Sequence, residues 1–341
     1  MASLLYPNKA LILPREPPVI FRRDQPHPFH DLSDNHFSFP CFPLLPTPKP
    51  KAVFVLGSSG TGKSKLAISL ALRFSGEIIN SDKMQFYDGL PVITNKVTPE
   101  ECAGVPHHLL GGIHPEADFT AAKFCRLATA ISDQITARNH LPIIAGGSNS
   151  YIKELIDVDF TRRYDCCFIW MDAEQDVLDE FVAERVDKMV EKGLVEEARG
   201  IFDFEADYTK GVRRSIGVPE LHQFFRREAE VDELERRMML EEAIGEIKAS
   251  TCRLTRVQRE KIRRFEADDG WWLNRVDATA ALVWRSAAVG GLVWEETVVG
   301  PSIETVRRFL GGGGGGIVGR CGGAVEFGEE NMTAEVVAST K

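Results

Sequence analysis

From Lys51 to about Asp172 the chain alternates short apolar runs with stretches in which apolar positions recur at helical spacing. The runs are Ala52–Leu56, Glu77–Asn80, Leu141–Ala145 and Cys166–Met171. The last two are nearly uninterrupted, as strands buried on both faces of a parallel sheet require. Lys65–Phe74 and Ala121–Ala137 carry the helical spacing and serve as crossovers. The pattern predicts an α/β fold built on a doubly wound parallel sheet, with ligands at the carboxyl ends of the strands. Beyond Asp172 the strand signals fade. Val177, Leu178, Phe181, Arg185, Met189 and Val190 keep helical spacing up to Gly193, and a charged helical stretch runs from about Val218 to Phe265. The expected layout is a core over 51–172 and a mainly helical second domain over 173–310.

The two ends differ from this body. Residues 1–50 hold eleven of the 18 prolines and no periodic apolar pattern, so they cannot build a core of their own. They read as a disordered extension or an organelle-targeting peptide. Lys9, Arg15, Arg22 and Arg23 suit targeting, whereas Glu16, Asp24, Asp31 and Asp34 do not; plastid import is the expectation, with a cytoplasmic tail as the alternative. No apolar core of a secretory signal is present. Residues 311–341 open on six glycines and read as a flexible tail.

Composition narrows the class. No stretch has the apolar length of a membrane span, so no membrane partner is expected. A net charge of −9 disfavours a general nucleic-acid binder, which gains affinity by neutralising phosphates. The seven cysteines form no CxxC pair and no disulfide framework, which leaves reduced thiols and no zinc site as the expectation.

The chemistry begins where the first apolar run ends. Gly57-Ser58-Ser59-Gly60-Thr61-Gly62-Lys63-Ser64 is a complete GxxxxGK[ST] phosphate-binding loop between a strand and a helix. Backbone N–H groups and a helix N-terminus point at one anion, Lys63 adds a point charge, and Ser64 is a ligand for Mg²⁺. The fold is thereby specified as P-loop NTPase-like. Asp82 ends the run Glu77-Ile78-Ile79-Asn80-Ser81-Asp82, which in a doubly wound sheet puts a carboxylate at a strand's carboxyl end, facing that loop. It suits a metal-associated carboxylate, a general base for a bound acceptor, or a helix N-cap. Asp172, just before a helix, reads first as a cap. His107 and His108 are adjacent, without a nearby third ligand, and read as loop packing or hydrogen-bonding groups.

The loop, Asn80-Ser81-Asp82-Lys83-Met84-Gln85, Thr94-Asn95-Lys96-Val97, Gly104-Val105-Pro106-His107-His108-Leu109-Leu110, Ile143-Ile144-Ala145-Gly146-Gly147-Ser148-Asn149-Ser150-Tyr151 and Gly211-Val212-Arg213-Arg214-Ser215-Ile216-Gly217-Val218-Pro219-Glu220 stand in one order along the chain. In that order they resemble the plant adenylate isopentenyltransferases, relatives of the tRNA dimethylallyltransferases, over roughly Lys51 to Leu310. The resemblance implies transfer of a dimethylallyl group from dimethylallyl diphosphate to N6 of AMP, ADP or ATP, with release of diphosphate. This is the first step of cytokinin biosynthesis. It implies that Gly57–Ser64 hold the donor diphosphate with Mg²⁺ as cofactor, and that Asp82 is the general base.

Further roles follow from the same resemblance. Ser59 stands where the family usually has Thr and keeps the hydroxyl that meets the bridging oxygen of the leaving group. Arg214 matches an arginine that approaches the diphosphate. Ser148 either reaches that diphosphate or serves as a turn residue. Lys248–Arg264 carries seven basic side chains and one acid. Lys248, Arg253 and Arg256 would meet the acceptor phosphates, favouring ADP and ATP over AMP, if the stripe is not merely a solvated face. A monomer with small-molecule substrates and no nucleic-acid partner is expected. The alternatives are a tRNA dimethylallyltransferase and, more remotely, a P-loop kinase of small metabolites.

Overall fold

The computed structural model describes residues 48–312, so the readings of the first 47 residues and of the chain beyond Gly312 lie outside the described residues. β1 (Lys51–Gly57) enters the glycine loop and α1 (Lys63–Phe74), which returns to β2 (Gly76–Asn80). A two-residue β3 (His107–His108) and α2 (Ala121–Ala137) lead to β4 (Leu141–Ala145). Next come α3 (Asn149–Leu155), a π-helical turn, the short α4 (Thr161–Arg163) and β5 (Asp165–Asp172). The chain then becomes helical through α5 (Gln175–Glu191), α6 (Leu194–Arg199), α7 (His222–Arg227) and α8 (Glu233–Ala267). It closes with β6 (Leu273–Asp277), α9 (Thr279–Val283), α10 (Gly290–Trp294) and α11 (Gly300–Leu310).

The strands form one parallel sheet in the order β3-β2-β4-β1-β5-β6. β1 lies inside it because Ala52–Leu56 are apolar on both faces and fully buried. Ala52, Phe54 and Leu56 join Phe168 and Trp170 in one core, while Val53 and Val55 join Leu66, Ile143 and Ile169 in the other. Each such side chain stabilises the fold by about 1.5–3 kcal/mol. The sheet thereby fixes the carboxyl ends of β1, β2, β4 and β5, where the glycine loop, Asp82, Gly146 and Asp172 emerge.

Two features depart from the sequence expectation. The helix expected from Val218 is interrupted: Pro219–Leu221 form a 3₁₀ turn, and α8 starts afresh at Glu233 with Asp232 accepting from the Glu235 N–H. Strand character also returns in the later region, where β6 pairs with β5 at the sheet edge. Lys51 at the start of β1 donates to the carbonyls of Phe309 and Leu310 at 2.6 and 2.9 Å. Packing is therefore continuous across Asp172, although the sequence pattern changes there.

Near the other edge Glu77 of β2 is buried with three partners. Arg138 donates to it at 2.8 and 2.9 Å, and ring nitrogens of His108 and His140 lie 2.7 and 2.9 Å away. Burial alone would raise its pKa. The hydrogen bonds of Arg138, His108 and His140, with the Arg138 charge, overcome this and hold it at about 2. His108 thus anchors β3, and His107 Nδ1 sits 2.8 Å from the Val105 carbonyl.

Candidate active site

The loop after β1 is shaped by contacts that leave some of its groups free. Gly62 caps α1 in the left-handed region (φ 89°). A Cβ there would also stand 2.6 Å from the ring of Trp294 on α10, so no other residue fits. Thr61 Oγ1 donates to the Ser58 carbonyl at 2.9 Å, and Ser58 Oγ donates to the Thr255 carbonyl of α8 at 2.9 Å. Both side chains are buried and structural. Ser59, Gly60, Gly62, Lys63 and Ser64 face a cavity of about 580 Å³. Lys63 Nζ donates to the Ser58 carbonyl at 2.7 Å. Burial lowers its pKa to about 8, Asp82 opposes that fall, and Arg185 adds to it.

Asp82 is held by the close approach of β2 and β4. Ser81 N–H donates to the Ala145 carbonyl at 2.9 Å, and Ser148 N–H donates to the Ser81 carbonyl at 3.2 Å. Glycine at 146 permits this, since a Cβ there would lie 2.4 Å from the Ser81 carbonyl carbon. Asp82 Oδ1 accepts from the Met84 N–H at 3.2 Å and caps the 3₁₀ turn Lys83–Phe86. The cap reading therefore holds, and the same residue lines the cavity in front of the loop. Oδ1 serves the turn, while Oδ2 has no protein hydrogen bond among the described residues and stands toward Gly147. Burial raises the Asp82 pKa, against the pull of Lys63, the Met84 N–H, Arg185 and Lys96.

A second compartment, of about 340 Å³, adjoins the first. Ser59, Asp82, Asn95 and Arg185 line both. The first carries Lys63, Lys65, Lys96 and Arg185 against Asp82 and Glu101, a balance that suits a compact polyanion. The second has apolar walls, including Met84, Ile93, Val186, Ile216, Leu254 and Val257, with Lys83, Arg214 and Lys261 among its polar groups. A flat aromatic ring with a charged tail matches that mixture.

Several sequence expectations change place here. Arg214 and Ser148 line the second compartment and not the phosphate-loop cavity. Arg214 Nη2 donates to Tyr87 Oη at 3.4 Å, and Ser148 Oγ accepts from the Lys83 N–H at 2.8 Å. The arginine beside the loop is Arg185 of α5, whose Nη2 donates to Ser59 Oγ at 2.9 Å and whose Nε is buried without a partner. Its signal in the sequence was a charge at a position where helical spacing demands an apolar residue. Lys248, Arg253 and Arg256 line neither compartment. Lys248 pairs with Asp187 at 2.6 Å, Arg256 pairs with Asp179, and Arg253 donates to Ser250 Oγ at 2.9 Å on the surface. Lys248 and Arg256 of the basic stripe thus meet acids of α5, and Lys261, further along the same helix, lines the second compartment instead. Asp172 is no cap: Arg259 holds it at 2.7 and 3.1 Å and Arg275 at 2.7 Å, with its carboxylate buried.

Among the described residues no group of three or more His, Cys, Asp or Glu side chains is placed to hold a metal ion. No helix there is long and apolar enough to cross a membrane.

The model of the IPP transferase family matches residues 85–162 and 157–265. Adenylate isopentenyltransferase 3, chloroplastic, of Arabidopsis thaliana is 49% identical over 268 residues, which are 77% of this chain and 80% of the relative. Adenylate isopentenyltransferase 7, mitochondrial, of the same organism is 49% identical over 77% of this chain and 81% of its own length. Among solved structures, a eukaryotic dimethylallyltransferase acting on tRNA superposes with a TM-score of 0.63 at 21% identity, over 77% of this chain and 80% of that one. At that identity the likeness speaks for the fold alone.

Proposed function

Since the chain belongs to the IPP transferase family and is thus a prenyltransferase, we propose that it moves a dimethylallyl group from dimethylallyl diphosphate to N6 of an adenine nucleotide, releasing diphosphate. The observation that carries this reading is the junction of the two compartments, where Ser59, Arg185 and Asp82 meet. A leaving group gripped on one side of that junction and an amine readied on the other describe a displacement.

The donor diphosphate lies in the first compartment. As the allylic C–O bond breaks, negative charge grows on the departing oxygens, and Lys63, Arg185, the loop amides and the Ser59 hydroxyl stabilise it where it develops. Adenine N6 is a weak nucleophile because its lone pair is delocalised into the ring. Asp82 Oδ2 accepts its N–H, raises the electron density on nitrogen and takes the proton as the C–N bond forms. Such a base contributes about 10²–10⁴-fold. The raised pKa of Asp82 strengthens it as a base.

The Ser64 hydroxyl would hold a Mg²⁺ ion together with phosphate oxygens of the donor. Ser64 is exposed at the start of α1 and lines the first compartment, and Mg²⁺ takes few protein ligands when phosphate oxygens complete its shell. Held there, it would supply charge neutralisation on the leaving diphosphate.

The acceptor is ADP or ATP ahead of AMP, because Lys83, Arg214 and Lys261 give the second compartment more positive charge than one phosphate needs. The chloroplastic and mitochondrial relatives support an import role for the N-terminal segment, to the plastid in this chain. The test is product analysis by mass spectrometry with AMP, ADP, ATP and dimethylallyl diphosphate supplied together. Prenylated ADP and ATP in excess of prenylated AMP are expected. Prenyl transfer to added tRNA alone, or phosphoryl transfer from ATP to another metabolite, would sink the proposal.

A further inference from the structure

Helix α8 reaches the phosphate loop at two points one turn apart. Below Thr255, which takes the Ser58 hydroxyl, Gln258 sets its Oε1 2.8 Å from the backbone N–H of Ser59. The other end of the same carboxamide, Nε2, donates to the Gly147 carbonyl at 2.9 Å. The Gln258 carbonyl accepts from Asn149 Nδ2 at 3.0 Å. One buried side chain thus bridges the loop after β1 and the turn after β4. Its two ends are not interchangeable, because Ser59 offers a donor and Gly147 an acceptor. The adjacent Arg259, paired with Asp172 at the end of β5, fixes α8 along its axis.

The turn that Gln258 holds is also the one against which Asp82 rests. Gly146 contacts Ser81 and Asp82, and a Cβ at Gly147 would stand 2.7 Å from Gln258 Nε2 and 3.5 Å from Asp82 Oδ2. The loop and the carboxylate are therefore tied through a single carboxamide. We propose that Gln258 is a positioning residue that sets the separation between the donor cradle and Asp82, acting through Ser59 and Gly147. This rests on the reading of the site given above. A misplacement of about 1 Å between reacting groups is enough to cost a large factor in rate.

The test uses Gln258→Glu and Gln258→Leu in the full chain, with thermal unfolding as the check on folding. At neutral pH the Gln258→Glu carboxylate still accepts from Ser59 but repels the Gly147 carbonyl; once protonated it donates again. Its kcat relative to wild type is expected to fall by roughly tenfold or more at pH 8 and to recover toward pH 5.5. Gln258→Leu is expected to lose roughly tenfold in kcat at both pH values, with the adenine-nucleotide KM changed far less. A folded Gln258→Leu with kcat within twofold of wild type, or a Gln258→Glu ratio that does not move with pH, overturns the proposal. Wild type that forms no prenylated nucleotide overturns the reading of the site itself; active wild type beside unaffected variants defeats Gln258 alone.

Discussion

Replacing Asp82 by Asn separates the capping duty of this residue from its chemistry. The Asn Oδ1 still accepts from the Met84 N–H, now 3.2 Å away, so the turn at Lys83–Phe86 survives. The other branch becomes an NH₂ that confronts the acceptor N6–H with a second donor. Loss of a base costs about 10²–10⁴ in rate, or ~2.7–5.4 kcal/mol of barrier. Stability should move the other way. Asp82 binds a proton more readily in the folded chain than in the unfolded one, so its charge costs stability at neutral pH, and the cost fades as pH falls. The neutral variant is expected to unfold at a higher temperature than wild type at pH 7, with the gap narrowing in acid. Rapid-quench single turnovers at saturating donor and nucleotide, beside calorimetric binding of inorganic diphosphate, read both sides of the site. Product formation within fivefold of wild type would refute the assignment of the base.

Four further outcomes are expected. Lys63 must be an ammonium to hold diphosphate, and its pKa of about 8 means that donor affinity falls by up to about tenfold per pH unit above that value, measured by calorimetry. Arg185→Ala should raise the donor KM or lower kcat by about 10–100-fold and Arg185→Lys should not restore it, whereas Arg214→Ala should act on the nucleotide KM. Glu77 contributes stability that is present above pH 4.5 and lost as pH falls toward about 2. Denaturant titrations of Glu77→Gln should show a loss of ~3 kcal/mol at neutral pH that shrinks in acid. Gly62→Ala should cost about 2–4 kcal/mol from its positive φ and its overlap with Trp294, with diphosphate binding lost before the fold.

The buried strands β1, β4 and β5 were legible because nearly unbroken apolar runs of that length have few other solutions, and β2 because Ile78-Ile79 lead into Asp82. β3 was not, since its two histidines carry no apolar signal and are held by Glu77 of β2. β6 was masked by Asn274, Arg275 and Asp277 at a half-exposed edge. In the site, Lys63 and Asp82 announced themselves through motif and strand end. Arg185 was hidden because it occupies a core-facing position of α5, and Gln258 because an uncharged residue in a charged helix gives no pattern to read. Lys248 and Arg256 misled for the converse reason: helical spacing says which residues share a face, but not that Asp187 and Asp179 wait opposite.

The two guanidinium groups on Asp172 have a consequence for the way the helices seat on the sheet. Arg259 comes from α8 and Arg275 from β6, so one buried carboxylate at the end of β5 ties the long helix to the sheet edge. Removing it would leave two guanidinium groups without their shared partner and loosen the grip of α8 on the loop after β1.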